Sequence, residues 1–334
     1  MNTFRLGAIA LICSIVFTAC EKQEQPITLP PKGDAEIVQV DMGETYARQI
    51  YFDLESGQVV HTSDVNSWDL ALEAGTDGKH VFINGGKDMF VYNTHSTNIS
   101  EVNTAPLNSD KVWKVDDPNG LPDQTGIGEW EGKNEVYIVR INPSLYPDSF
   151  AKVVLTYVDG NEYRLMYSSL HEKIAKTATI KKQPGQNYVY FSLSTGEQVN
   201  NCEPISNTNW DIVFTRYRYI YKELDNYPYL VTGVLLNPYR TQAVKDSVVT
   251  FADLKSEYIA TAKFVPNRDV IGFDWKDYNI DAAKYTTYPN KIYVIENGRA
   301  GEGMPKQYYK LHFLDFYSAA GVKGSPKFEF QRLQ

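Results

Sequence analysis

The sequence predicts an all-β fold made of two tandem antiparallel β-sheet domains with little helix. Three observations carry this. A strand, turn and strand motif occurs twice, about 140 residues apart, a spacing beyond solenoid periods that reads as a duplicated domain. The chain is 13% aromatic, with 24 Tyr among many Val, Ile and Thr, and these side chains fit a pleated, half-buried surface. No stretch sustains a helical period, and a short helix is expected only near Thr250 to Tyr258.

In the motif itself, Tyr51, Phe52, Leu54, Gly57 and Val60 recur as Tyr190, Phe191, Leu193, Gly196 and Val199. Alternation of Tyr51, Asp53 and Glu55 with Phe52 and Leu54 describes a half-buried strand. Gly57 and Gly196 mark turns that need positive φ. The second strand is Trp68-Asp69-Leu70-Ala71-Leu72, repeated as Trp210-Asp211-Ile212-Val213-Phe214. Each Trp is expected to bury most of its ring, and each Asp to point to the other face and accept hydrogen bonds from a turn.

The N-terminus reads as a signal peptide over residues 1–19. Arg5 precedes an apolar run from Leu6 to Ala19, which is too short to span a bilayer. Thr18 and Ala19 before Cys20 resemble the lipobox of bacterial lipoproteins, which implies lipidation of Cys20. Glu21 to Glu24 resembles the charged tag that sends such proteins to the outer face of the outer membrane. Residues 20–36, with Pro26, Pro30 and Pro31, form a tether. Once Cys13 leaves with the signal and Cys20 is lipidated, only Cys202 remains, so no intramolecular disulfide forms.

The first β domain is expected over residues 37–172. It contains a hairpin from Lys79 to Asn93 around Asn84-Gly85-Gly86, then loop-rich sequence from Asn98 to Gly128 with a short strand at Lys111 to Val115. A strand at Glu135 to Ile141 follows, and a hairpin from Ala151 to Tyr167 whose Asp159-Gly160 suits a type I′ turn. Residues 173–187 lose the pattern, collect lysines and end in Pro184-Gly185, so they read as a linker. The second domain, 188–334, repeats the plan. Lys152-Val153-Val154-Leu155 matches Lys310-Leu311-His312-Phe313 in kind, which extends the repeat to the terminal hairpins.

Several of these strings, taken together, have a family likeness. Tyr190 to Glu197 (YFSLSTGE), Asn209 to Phe214 (NWDIVF), Arg216-Tyr217, Lys291 to Glu296 (KIYVIE) and Tyr308 to Tyr317 (YYKLHFLDFY) resemble the HmuY family of haem-binding surface lipoproteins. The resemblance covers Val189 to Phe330 and, more loosely, Gln49 to Tyr167. It implies an all-β HmuY-like fold, an outer-membrane lipid anchor facing outward, and haem or porphyrin handed to a TonB-dependent receptor. In this family haem iron is held between two side chains, a His pair or a Met-containing arrangement. The segment where family ligands sit, Phe251 to Tyr288 here, has neither His nor Met.

Candidate haem ligands therefore come from the first copy: His80, Met89 and His95. With a turn at Asn84-Gly85, His80 lies opposite Met89, and a His/Met pair can ligate haem iron; with a turn at Gly85-Gly86, His80 faces Val91. The plainer alternative is a strand His and a core Met. His312 reads as a packed strand residue.

Other classes find little support. A formal net charge of −8 argues against nucleic acid, which needs a basic face. His171-Glu172 lacks the second His of a zinc-protease helix, Ala175 standing there. Gly126-Ile127-Gly128 is followed by Glu129 and Glu131, which repel phosphate. No nucleophile motif is present, and since catalytic triads are assembled in space rather than in sequence, an enzyme is ranked a distant third behind the two binding readings. Arg216-Tyr217-Arg218-Tyr219 reads as ordinary sheet patterning, and Asp274, Asp277 and Asp281 lack calcium-loop spacing. The alternative to a haem carrier is a surface binding or adaptor module of the same fold, taking a glycan, peptide or receptor partner.

Overall fold

The computed structural model describes residues 34–107, 111–141, 149–298 and 305–333; the signal peptide, Cys20 and most of the tether lie outside the described residues. The described chain is β throughout, in four antiparallel sheets and one two-stranded ribbon, and its helical turns are short 3-10 segments. The helix expected near Thr250 to Tyr258 is one of these, at Ser256–Ala260.

Two sheet packings build two cores. In the first, a five-stranded sheet runs in the order Lys176–Lys181, Glu162–Ser169, Phe150–Val158, Tyr137–Arg140, Phe90–Asn93. It packs on a four-stranded sheet of Glu197–Val199, Tyr188–Ser192, Leu70–Glu73 and Val81–Ile83. Leu70, Leu72, Val139, Val153, Leu165 and Phe191 fill the space between. In the second, the five-stranded order is Glu36–Gln39, Lys323–Leu333, Gln307–Tyr317, Ile292–Asn297, Thr241–Asp246. Its four-stranded partner is Tyr227–Leu236, Ile212–Tyr221, Arg48–Asp53 and Gln58–Asp64. Ile50, Phe52, Phe214, Trp275, Phe313 and Phe328 fill that core.

The expected division into tandem domains at residues 173–187 is therefore corrected. The first core draws only on Leu70 to Leu193, whereas the second joins Val40 to Leu54 with Ile212 to Phe330. The cause is strand choice. Each Trp-Asp strand pairs with the aromatic strand of the other motif copy, so that Leu70 lies opposite Phe191 and Ile212 opposite Phe52. The N-terminal hairpin thus completes the C-terminal sheet, and the described residues belong to one compact unit. Nor is 173–187 only a linker, since Lys176–Lys181 pairs with Glu162–Ser169 and buries Ile180. At the other end Glu36–Gln39 pairs with Lys323–Leu333 in the same way.

Within each packing the motif behaves as its sequence suggests. Gly57 and Gly196 have φ of +68° and +72°. The Leu193 N–H donates to Asp69 Oδ2 at 2.7 Å, and the Leu54 N–H to Asp211 Oδ2 at 2.8 Å, so both carboxylates hold the turn after an aromatic strand. The terminal hairpins correspond too. Lys152 Nζ, buried, donates to the carbonyls of Ile99 and Val102 at 2.9 Å, and Lys310 Nζ to those of Phe251 and Leu254.

Two hairpins differ from expectation. At 151–167 the strands pair as expected, but the tip residues are Gly160 and Asn161, closed by the Asp159 N–H on the Glu162 carbonyl. Neither has positive φ, because the Asp159 side chain accepts the Asn161 and Glu162 N–H groups and stabilises an ordinary turn. From Lys79 to Asn93 no hairpin forms. Val81–Ile83 pairs with Leu70–Glu73 and Phe90–Asn93 with Tyr137–Arg140, while Gly85–Lys87 is a 3-10 turn capped by the Asn84 side chain, whose Oδ1 accepts the Lys87 N–H at 3.2 Å.

Candidate functional site: a cavity between the two four-stranded sheets

A strand has two faces, and in the motif strands both are covered. Phe52 and Phe191 point into their cores, while Tyr51 and Tyr190, one residue earlier, point the opposite way. Those opposite faces carry two further apolar clusters. Tyr51, Trp210, Val213, Tyr217 and Leu235 form one, and Ala71, Phe82, Tyr188 and Tyr190 the other. The half-buried strand expected at Tyr51 is thus buried on both sides there. Tyr51 meets Trp210 edge-on at 4.9 Å between centroids, and Trp68 meets Tyr190 at 5.0 Å. A cavity of about 120 Å³ lies between these clusters.

Irregular segments supply its polar lining. Asp116 is locked by the N–H groups of Gly126 and Ile83 at 2.7 and 2.8 Å, and burial pushes its carboxyl up to about 7. Glu203 Oε1 accepts the N–H groups of Asn187 and Tyr188 at 2.7 and 2.8 Å, and burial raises it likewise to about 7. Arg268 joins the loop around Asp116 through its backbone N–H on the Asn119 carbonyl at 2.8 Å. From the strand Ile212–Tyr221 come Arg216, Tyr217 and Arg218. Arg216 Nη2 donates to Asn66 Oδ1 at 2.8 Å. Arg218 pairs with Asp88, donates to the Pro228 carbonyl at 2.9 Å and stacks on Phe90. Burial pulls the Arg218 guanidinium down to about 10, which leaves it charged at neutral pH.

Five of the lining residues carry a buried side-chain atom with no hydrogen-bond partner: Tyr188 Oη, Trp210 Nε1, Tyr217 Oη, and the Nε atoms of Arg216 and Arg218. Buried polar groups are normally satisfied, so such a concentration around one cavity marks it as more than a packing defect.

The candidate haem ligands lie elsewhere, and none of the three lines this cavity. His80 Nδ1 is 2.7 Å from Glu73 Oε2, and its Nε2 lies 3.9 Å from Glu129. Met89 is fully buried in the first core. His95 sits in left-handed backbone at φ +57°, exposed, 3.1 Å from Glu135. Without the expected hairpin, His80 and Met89 are not cross-strand neighbours. His312 is packed as expected, stacked on Phe251 at 4.2 Å and bonded to the Pro289 carbonyl and Glu329 at 2.8 Å.

Sequence reasoning passed over Asp116, Glu203 and Arg268, and took Arg216 to Arg218 for ordinary sheet patterning. The last of these carried a signal: an Arg-Tyr-Arg run inside a strand whose neighbours are apolar places charge against a buried face. Among the described residues no group of three or more His, Cys, Asp or Glu could hold a metal ion.

Residues 45–187 match the family model described as HmuY protein. No curated protein matches the chain. Among solved structures, the chain is similar to the apo HmuY analog of Tannerella forsythia at 10% identity, with 91% of this chain and 98% of that one covered and a TM-score of 0.26. Apo PinO, attributed to Porphyromonas gingivitis, matches at 11% identity over 90% and 98%, with a TM-score of 0.27. A Bacteroides vulgatus protein described as HmuY-like and heme binding matches at 11% over 89% and 90%, with a TM-score of 0.22.

Proposed function

From the HmuY-family identity of residues 45–187, we propose that the chain is a lipid-anchored surface protein that captures a ligand outside the cell and hands it to a TonB-dependent outer-membrane receptor. The family is one of binding and uptake proteins, not enzymes. The anchor in this reading is Cys20, lipidated after removal of residues 1–19, and no described helix is long and apolar enough to cross a membrane.

Which ligand it takes divides into two readings. The geometry favours a module that binds a small ligand in the inter-sheet cavity, and the observation that carries this is the set of five lining residues with an unpartnered buried polar atom around an aromatic-walled space. The family match favours haem or porphyrin. The residues do not fit haem coordination in that cavity: its lining has no His or Met, burial holds its tyrosines in the neutral form, and about 120 Å³ is well under the roughly 300–1,000 Å³ of a cofactor-sized site. Haemin titration followed by absorbance separates the two. On the cavity reading haemin gives a broad, unshifted Soret band in both oxidation states. A sharp shifted band would establish a coordinating site elsewhere and return the function to haem capture.

A further inference from the structure

Away from the cavity, aromatic rings gather on an exposed face of the hairpin formed by Ile212–Tyr221 and Tyr227–Leu236. Alternate residues of a strand share a face, and Tyr219 pairs with Tyr229 and Tyr221 with Tyr227, so four tyrosines stand side by side at the hairpin tip. Phe273 packs beside them, 4.9 Å from Tyr219 and 6.3 Å from Tyr221 between centroids. Tyr227 and Tyr229 remain 56% and 53% exposed. A hairpin tip in water is ordinarily polar, so an aromatic patch there marks a binding surface. None of the five rings lines the cavity, and the site is separate from it.

Shape and charge select the ligand. Tyr219, Tyr221 and Phe273 meet edge to face at 63° to 81°, and Tyr229 meets Tyr221 at 65° and 6.2 Å. Rings in contact leave no slot between them for an inserted peptide side chain, so a ligand must lie flat across them. Carboxylates surround the phenols: Glu223, Asp269 and Asp274 near Tyr219, Glu223 and Asp277 near Tyr221. Lys222 lies near Asp269, and Lys111 pairs with Asp225. An anionic ligand, a porphyrin with its carboxylates included, is therefore disfavoured. A neutral sugar meets both conditions, since its C–H face stacks on a ring and its hydroxyls bond to phenols and carboxylates.

We propose that this hairpin face binds a neutral oligosaccharide, laid across Tyr219, Tyr221, Tyr227 and Tyr229, with Glu223 and Asp277 accepting from its hydroxyls. Its place in the fold suits a ligand from the medium. Glu36, where the N-terminal segment enters the fold, pairs with Phe330, and its carboxylate lies beside Gly57. The strand Ile212–Tyr221 starts against Phe52, at that same end, and runs about 30 Å away from it at roughly 3.3 Å per residue. With the anchor proposed above, the tyrosines face away from the membrane.

Electrophoresis of the mature chain through native gels cast with a glucan, a mannan or a xylan tests this, with heparin as the acidic comparison. At least one neutral polymer should retard the chain, and heparin should not. Tyr227→Ala with Tyr229→Ala, at the two most exposed rings, should weaken that retardation about tenfold or more. Tyr157→Ala, at an exposed tyrosine of the other packing, should leave it unchanged, and thermal melts check that the variants fold. If no neutral polymer retards the chain, the proposal falls and the cavity reading is untouched. Heparin retardation as strong as that of the neutral polymers overturns it, as does retardation that survives the double substitution. Haemin or a proline-rich peptide that binds the wild type and not the double variant, with no polysaccharide bound, assigns the face to that ligand instead.

Discussion

The Asp211 carboxylate accepts the Leu54 N–H at 2.8 Å, across more than 150 residues of chain, and Asp69 does the same for Leu193 at 2.7 Å. The two bonds look equivalent, but their surroundings differ. Asp69 is also held by Lys87 Nζ at 2.5 Å with both groups buried, whereas Asp211 is 3.7 Å from Arg240, which has Asn297 and Thr208 as further partners. Asp69→Ala leaves a buried ammonium without its counter-charge and should cost about 3–5 kcal/mol. Asp211→Ala removes a buried acceptor and leaves Arg240 partnered, so about 1–3 kcal/mol is expected. Urea denaturation of the two variants should rank them in that order.

The exchange of strands between motif copies makes a prediction about fragments. Residues 68–203 contain every strand of the first packing, whereas residues 37–172 lack Tyr188–Ser192, which lies against Leu70–Glu73. The fragment 68–203 should unfold cooperatively in urea and give dispersed amide resonances, though its bared aromatic face will make it prone to associate. The fragment 37–172 should show neither property. A cooperative 37–172 fragment would restore the tandem boundary.

How far the sequence could be read depends on what each residue must satisfy locally. Gly57 and Gly196 require positive φ, and Asp69 and Asp211 sit beside a buried Trp-side strand with only a turn to accept from, so both features were legible. The partner of each strand was not. Phe52 and Phe191 have the same alternation, and Leu70 and Ile212 present the same apolar edge, so within-copy and between-copy pairing satisfy the pattern equally. The second buried face of the sheets was hidden for a related reason. Tyr51 and Tyr190 are amphipathic, and a strand carrying them looks half-exposed until a second sheet covers it. The hairpin expected at Lys79 to Asn93 failed because Asn84 caps a 3-10 turn, a use of Asn-Gly-Gly that competes with the type I′ turn.

Met89 separates a packing role from a ligand role. It is fully buried among the first core's side chains, so Met89→Ala should cost about 2–5 kcal/mol in urea denaturation through the void it leaves. His95→Ala, at an exposed position, should cost under about 0.5 kcal/mol. Loss of a haemin Soret shift in His95→Ala with stability unchanged would instead assign His95 a ligand role.

Anchoring is tested at Cys20. Two or three acyl chains hold a protein stably where one does not, at about 0.8 kcal/mol per buried methylene. Cys20→Ala should move the protein from the membrane fraction to the soluble one, and protease added to intact cells should digest the wild type. Protection until lysis would place it on the inner face.

Glu203 carries a pH signature whose sign is fixed by its burial. Its folded carboxyl titrates near 7 against an ordinary 4.5, so the native state binds more protons than the unfolded state between those values. Stability from this group is therefore complete below the ordinary carboxylate range and is lost as pH rises from about 4.5 through about 7. Glu203→Gln keeps an oxygen for the Asn187 and Tyr188 N–H groups and removes the titration. The variant should match the wild type near pH 4.5 and exceed it at pH 8 by on the order of 2–3 kcal/mol. Urea midpoints at both pH values measure the difference, and a wild type that gains on the variant as pH rises would show that Glu203 is charged and stabilising in the native fold.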